Sequence, residues 1–194
     1  KYRLYPNDEQ KVMFAKTFGC CRFVYNQLLA LQKQRYKDGE SHLSKLKSNE
    51  FATRTLKKDY DFLKEIDKFA VSNAVFHLAD AYDRFFKKQN HFPKFKSKRK
   101  SKKSYTTNFT NNNILIGKNV IKLPKVGMVK AVIHKLPKDD WKLKSVTVSH
   151  DGVGNYFASV LFEYEQEDIP SVSKSSTNAI GLDYKSDGLY MDSN

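Results

Sequence analysis

The chain has 194 residues, 40% hydrophobic and 13% aromatic, with 35 Lys/Arg against 21 Asp/Glu and a net charge of +14. That length and apolar content can bury real cores and exclude general disorder. No apolar run nears the roughly 20 residues of a membrane span, and no signal peptide opens the chain.

In chain order, Lys1 to Tyr5 reads as a short strand ended by Pro6. Asn7 is then a helix N-cap, with Gln10 as its capping-box partner and Asp8 and Glu9 in the first turn. Phe14, Phe18, Cys21, Tyr25 and Leu28 follow at helical spacing, and Gly39 ends the helix. A second helical segment runs from about Leu43 to Lys58. A third begins near Asp67 and carries Val71, Val75, Leu78, Tyr82 and Phe85 at the same spacing. These stripes predict a helical module over the first 90 residues with its own core. Cys20 and Cys21 are the only cysteines. Adjacent cysteines rarely bridge each other, so they read as helix residues in a reducing compartment, which predicts a cytoplasmic, nucleoid-associated protein.

A basic loop comes next, and after it the period changes. Ile114–Ile116, Val120–Leu123, Met128–His134, Leu143–His150 and Tyr156–Glu165 are short, rich in Val and Ile, and largely alternating. About five such strands suggest a small antiparallel barrel. Gln166 to Asn178 reads as a Ser-rich linker. Ala179–Asp183 then reads as a buried strand ending on a carboxylate, with a second strand starting at Gly188. A chain that opens on Lys1 and stops just after a strand-like run predicts an excerpt of a longer protein.

The charge is segregated. Arg84 to Lys138 holds 16 Lys/Arg and no acid in 55 residues, while the other 139 residues carry 19 basic and 21 acidic side chains. Such a zone calls for a polyanion, and the rings within it (Phe92, Phe95, Tyr105, Phe109) favour nucleic acid, which offers phosphates to lysines and base faces to rings. A membrane surface would require an amphipathic helix with a leucine face, which the basic run lacks. A small-molecule substrate has no signature: there is no Gly-rich phosphate loop, Ser-His-Asp set or CxxC pair.

Four segments in order (RLYPN at Arg3–Asn7, CCRFVYN at Cys20–Asn26, DKFA at Asp67–Ala70, and the FPKFKSKR to IKLPKVGMVK block at Phe92–Lys130), with SVTVS, YFASVL and AIGLD behind them, give the chain a resemblance to the TnpB (OrfB) family. These are transposon-encoded RNA-guided DNA endonucleases. The resemblance implies an α+β fold in which a helical recognition module is inserted into a small antiparallel β-barrel (wedge, OB-like). The first strands of an RNase H-like (RuvC) domain would follow. On that plan residues 1–6 are the first wedge strand, 7–90 the recognition helices, 91–166 the rest of the wedge with its basic loop, 167–178 a linker and 179–194 the start of the nuclease domain. Guide RNA and double-stranded target DNA would be the partners, with no membrane and no small molecule, and base pairing would leave the protein to grip backbone and shape.

The resemblance further implies that Lys68, Phe69, Thr110 and Asn111 contact a short adjacent DNA motif. Ser72 stands at a third such position, where it is too short for the bidentate adenine contact a Gln can make. Without the family, Phe69 reads as core, Lys68 as a solvated charge and the Asn run as a turn. Lys94, Lys96, Lys98, Arg99, Lys100, Lys102, Lys103 and Tyr105 are the expected contacts to nucleic-acid backbone. Asp183 is the one catalytic candidate: in the family it would hold Mg²⁺ together with carboxylates further along, and Zn²⁺ would sit in a later cysteine ribbon. Only 11 residues follow Asp183, so this polypeptide alone is expected not to cut DNA. Two other readings stand beside a nuclease portion: a nuclease-dead RNA-guided repressor, and an unguided basic RNA- or DNA-binding module.

Overall fold

The structure is a computed structural model that describes residues 1–165, 182–185 and 188–192. It divides into a large unit, Lys1–Tyr164, and a small one, Glu165–Asn194.

In the large unit β1 (Tyr2–Tyr5) leads into α1 (Asp8–Lys37). Asn7 Oδ1 accepts from Gln10 N–H while the Gln10 side chain accepts from Asn7 N–H, the capping box read in the sequence. Gly39, at φ +74°, follows the end of the helix. A helical run then spans α2 (Lys45–Glu50), a π-helical segment (Phe51–Leu56) and α3 (Lys57–Asp59). Asp67 caps α4 (Lys68–Phe86) by accepting from Ala70 N–H. Both cysteines are free and buried in α1. Burial pushes the Cys21 thiol up to about 12, and its Sγ donates to Ala70 O at 3.4 Å, holding α1 close to α4.

Six more strands complete the sheet: β2 (Lys103–Asn108), β3 (Leu115–Ile116), β4 (Val120–Leu123), β5 (Gly127–Val132), β6 (Lys142–His150) and β7 (Tyr156–Glu163). Their order is β2-β6-β7-β1-β5-β4-β3, all antiparallel neighbours. The first strand in sequence is therefore central in space, between β5 and β7, and the helices are an insertion between β1 and β2. The sheet curls into a half-barrel. Among the described residues its edges β2 and β3 do not pair, so the small antiparallel barrel expected from the sequence is an open half-barrel of seven strands.

The open edge is covered instead. From α4, Asn73 Nδ2 donates to Thr106 O at 2.9 Å, satisfying a carbonyl of edge strand β2, and also to Asn108 Oδ1 at 3.2 Å. A bulge at Leu143/Ser145 frees Lys144 O to accept from Phe109 N–H just past the end of β2.

Strand β2 is the element the sequence reading missed, having assigned 103–108 to the basic block. Its signal was an alternation in which Tyr105 and Thr107 face inward and are buried. A second correction concerns the helical core. Phe14 stacks on Phe18 and Tyr156 and tilts against Tyr105, so the α1 stripe packs on the sheet as well as on α4. Helices and sheet share one buried cluster running from Tyr2 and Leu4 through Val71 and Val75 to Val146 and Ala158.

In the small unit β8 (Leu182–Lys185) pairs antiparallel with β9 (Gly188–Asp192). Asp183 lies opposite Met191, as the second residue of its strand rather than the last. The remainder of the expected strand, 179–181, and the whole 167–178 linker lie outside the described residues. Among the described residues no helix is long and apolar enough to cross a membrane.

Phe14 is fully buried where α1, β2 and β7 meet. Phe14→Ala is expected to cost about 3–5 kcal/mol. Denaturant unfolding followed by far-UV signal should show one cooperative transition for helix and sheet, moved together to lower denaturant. Separate helical and sheet transitions would disprove the shared core.

Candidate nucleic-acid interface

One groove, about 500 Å³ in volume, opens between the start of α4, the loop after β2 and the β4–β5 turn. Its walls include Lys68 and Phe69 from DKFA and Thr110 and Asn111 from FTNNN, four residues from segments about forty positions apart. Lys57, Lys64 and Lys125 join them, and the sequence reading had singled out none of these three. Ser72, one turn further along α4, is half-buried and does not line the groove.

Each wall has a local cause. Asp67 lines the groove too, buried and capping α4 through one of its carboxylate oxygens, and the Lys68 ammonium lies 5.0 Å from the Phe69 ring centre. The loop is built by Asn113, whose Oδ1 accepts from Thr110 N–H and whose Nδ2 donates to Asn108 O. That clamp puts Asn111 and Asn112 at φ +45° and +56°, a region asparagine tolerates, and leaves both side chains exposed. Across the groove Val126 N–H bonds Leu123 O, closing a turn with Pro124 and Lys125 at its centre. Lys125 takes φ +65°, a conformation that favours glycine, so a long cation is held at a strained position.

The groove is electropositive. Burial first, and then Lys68 and Lys125, push the Lys57 ammonium below its ordinary proton affinity, with Asp67 opposing. An anion entering here relieves that crowding. The arrangement offers cations, a ring and exposed amides that can donate and accept, which suits phosphates and base edges together.

A second basic surface lies at the other end of β2. Ser101 N–H bonds Ser97 O, Ser97 Oγ accepts from Lys100 N–H and Ser101 Oγ accepts from Ser97 N–H. This tight turn projects Lys98, Arg99 and Lys100 into solvent, and Lys94, Lys102 and Lys103 are exposed as well. Two expected contacts differ. Tyr105 is only 3% exposed, its ring wedged against Phe14 and Phe18 and its hydroxyl pushed up by burial, so it belongs to the core and offers no face to a base or backbone. Lys96 is half-buried, with its ammonium 4.0 Å from the Tyr25 ring centre and its proton affinity lowered by burial. Its backbone N–H and C=O are both bonded by the Asn26 amide, at 2.8 and 2.9 Å. Lys96 therefore anchors the basic turn to α1 and stands apart from the free cations beyond it.

The rings of the basic zone divide in the same way. Phe109 lies against the core, whereas Phe92, edge-on to Tyr82 and Phe85, and Phe95 both stay exposed beside Lys33. Among the described residues no three His, Cys, Asp or Glu side chains lie close enough to hold a metal.

A helix-turn-helix domain of the OrfB type matches residues 1–41, which here form β1 and the single unbroken helix α1. A candidate RNA-guided DNA endonuclease of Streptomyces pristinaespiralis is 30% identical over 185 residues, 94% of this chain and 44% of that protein. A candidate RNA-guided DNA endonuclease of Escherichia coli K12, InsQ, is 28% identical over 190 residues, again 94% of this chain and 44% of its own length. The virulence protein VsdF of Salmonella dublin is 32% identical over 108 residues, 50% of this chain and 91% of that protein. The chain thus spans less than half the length of the two endonuclease relatives.

Lys125→Gly removes the left-handed strain at the turn and should stabilise the chain by about 1 kcal/mol, the usual penalty for a side chain there less the entropy of glycine. A shift of the denaturant midpoint to higher concentration at unchanged slope would show it. A loss of stability would mean that the lysine holds the turn.

Proposed function

The chain belongs to the TnpB (OrfB) family, and from that premise we propose that it is the nucleic-acid-binding portion of an RNA-guided DNA endonuclease. In this reading the groove between α4 and the β2–β3 loop receives duplex DNA and reads a short adjacent motif. Thr110 and Asn111 meet base edges, Phe69 packs on the DNA, and Lys57, Lys64, Lys68 and Lys125 neutralise the flanking phosphates. Ser72, outside the groove walls, has no direct part in that readout. The observation that carries the reading is the convergence of DKFA and FTNNN on one lysine-lined groove.

The basic surface beyond it supports guide RNA, because a protein that leaves sequence to base pairing needs backbone grip more than base readout. In the complete protein Asp183 would be one of several carboxylates holding Mg²⁺, and a Zn²⁺ ribbon would lie elsewhere in the chain. What supports a nuclease over a nuclease-dead repressor is the presence of that carboxylate in its strand.

The test is duplex binding from a randomised library, followed by salt titration. A short enriched motif is expected, with a log–log salt slope of roughly −5 if about six phosphates are contacted. Asn111→Ala should relax the enriched motif at one position at a cost of about 1–3 kcal/mol, and Lys125→Gly should weaken all duplexes alike and flatten the slope by about 1. With Mg²⁺ alone the chain should leave DNA uncut. A slope near zero, or no motif, would sink the reading.

A further inference from the structure

We propose that Asn73 is a positioning residue for motif recognition: it sets which bases the groove accepts without touching DNA itself. This rests on the reading of the groove given above and names what fixes its selectivity. Base edges meet one wall only. Ser72 lies outside the lining, so the α4 wall presents the Lys68 ammonium and the Phe69 ring but no side-chain amide. The Asn113 amide is committed to its own loop, with Oδ1 on Thr110 N–H and Nδ2 on Asn108 O. Thr110 and Asn111 are left to read a base, and both ride on the loop after β2. That loop adds no grip on phosphates, because from Ser104 to Gly117 the sequence has no charge at all. The groove lysines, Lys57, Lys64, Lys68 and Lys125, all sit on other elements.

Asn73 fixes where that loop stands relative to α4. It follows Phe69 by one helical turn, so the two share a face of the helix, Phe69 lining the groove and Asn73 behind it. Asn73 Nδ2 donates to Thr106 O at 2.9 Å and to Asn108 Oδ1 at 3.2 Å. Asn108 ends β2, and its carbonyl accepts from Asn113 Nδ2 at 2.9 Å. Asn113 Oδ1 then accepts from Thr110 N–H at 2.8 Å. Asn73, Asn108 and Asn113 thus form a line of amides from the helix that carries one wall to the loop that carries the other. The remaining tie on the loop, Phe109 N–H to Lys144 O, runs to β6 and holds it to the sheet, not to α4.

Distance decides which property depends on this line. A hydrogen bond to a base edge weakens steeply beyond about 3.2 Å, so a shift of about 1 Å in the loop loses the readout of a base. Attraction between lysine and phosphate falls only as the inverse of distance, and the lysines do not move with the loop. Cutting the line therefore relaxes selectivity and spares the grip.

The test selects duplexes from a randomised library with the chain and with Asn73→Leu, which keeps the side chain's bulk and removes its amide. Asn73→Leu should weaken discrimination about five- to tenfold at the one position that Asn111→Ala also relaxes. Its salt slope and its affinity for an unselected duplex should match those of the unaltered chain. Asn108→Ala cuts the same line from the strand side while leaving Thr106 O bonded, and should relax the same position. It carries the test should Asn73→Leu not fold. In an Asn111→Ala background Asn73→Leu should add nothing at that position, since it acts through the same loop. A fall in stability alone would weaken all duplexes alike and could not reproduce this pattern. A motif that a folded variant leaves unchanged, an equal loss on every duplex, or full additivity with Asn111→Ala would overturn the positioning role and leave the groove reading in place. No enriched motif from the unaltered chain would overturn the groove reading, and this inference with it.

Discussion

The stacking of Phe14 between the helices and the sheet is the contact on which the rest of the molecule depends. Its ring meets Phe18 in its own helix, Tyr105 on the edge strand and Tyr156 on an inner strand. Because β1 is central in the sheet and runs directly into α1, the first helix cannot leave without dragging a middle strand with it. Helices and sheet therefore fold around one core. Both basic surfaces inherit their positions from it, the groove because helix residues and loops after strands line it together, and the basic turn because it leads into β2 and is tied to α1 through Asn26.

Polar contacts do the finer positioning. Asn26, near the middle of α1, holds Lys96 by both backbone groups, which fixes where the basic turn begins. Asn73 on α4 meets the free carbonyl of Thr106, so the open sheet edge is closed to other strands and held against the helix that starts at the groove. Asn113 shapes the loop that presents Asn111. Three asparagine amides, each bonding backbone on a distant or neighbouring segment, set the frame. The lysines are then free to face solvent and a ligand.

Much of this was legible beforehand. The capping box at Asn7 and Gln10, the helix start near Asp67 and the helical stripes were readable because local hydrogen bonds and a 3.6-residue period depend on nearby residues alone. Strands β4 to β7 were readable for the same reason at period two. Strand β2 was hidden because Lys103, Ser104 and Asn108 read as continuing the basic segment, and only Tyr105 and Thr107 carry its inward pattern. The groove was half legible: Lys68, Phe69, Thr110 and Asn111 were named from motifs, while Lys57, Lys64 and Lys125 are lysines among many, with nothing local to mark them. Tyr105 and Lys96 were assigned to nucleic acid because they lie in the basic zone, and the fold turned one into core and the other into an anchor.

The sequence by itself determined the elements, the family resemblance and the segregation of positive charge into one stretch, since each follows from residue type, order and short-range spacing. Tertiary structure alone decided which cations stand together. It placed two lysine clusters at opposite ends of one strand, left an uncharged strip between them and removed Tyr105 from the surface. These outcomes depend on pairings such as Arg3 with Val132 and Phe157, more than a hundred residues away. The physical reason is that charge is counted along the chain, whereas a binding site is made of distances across it.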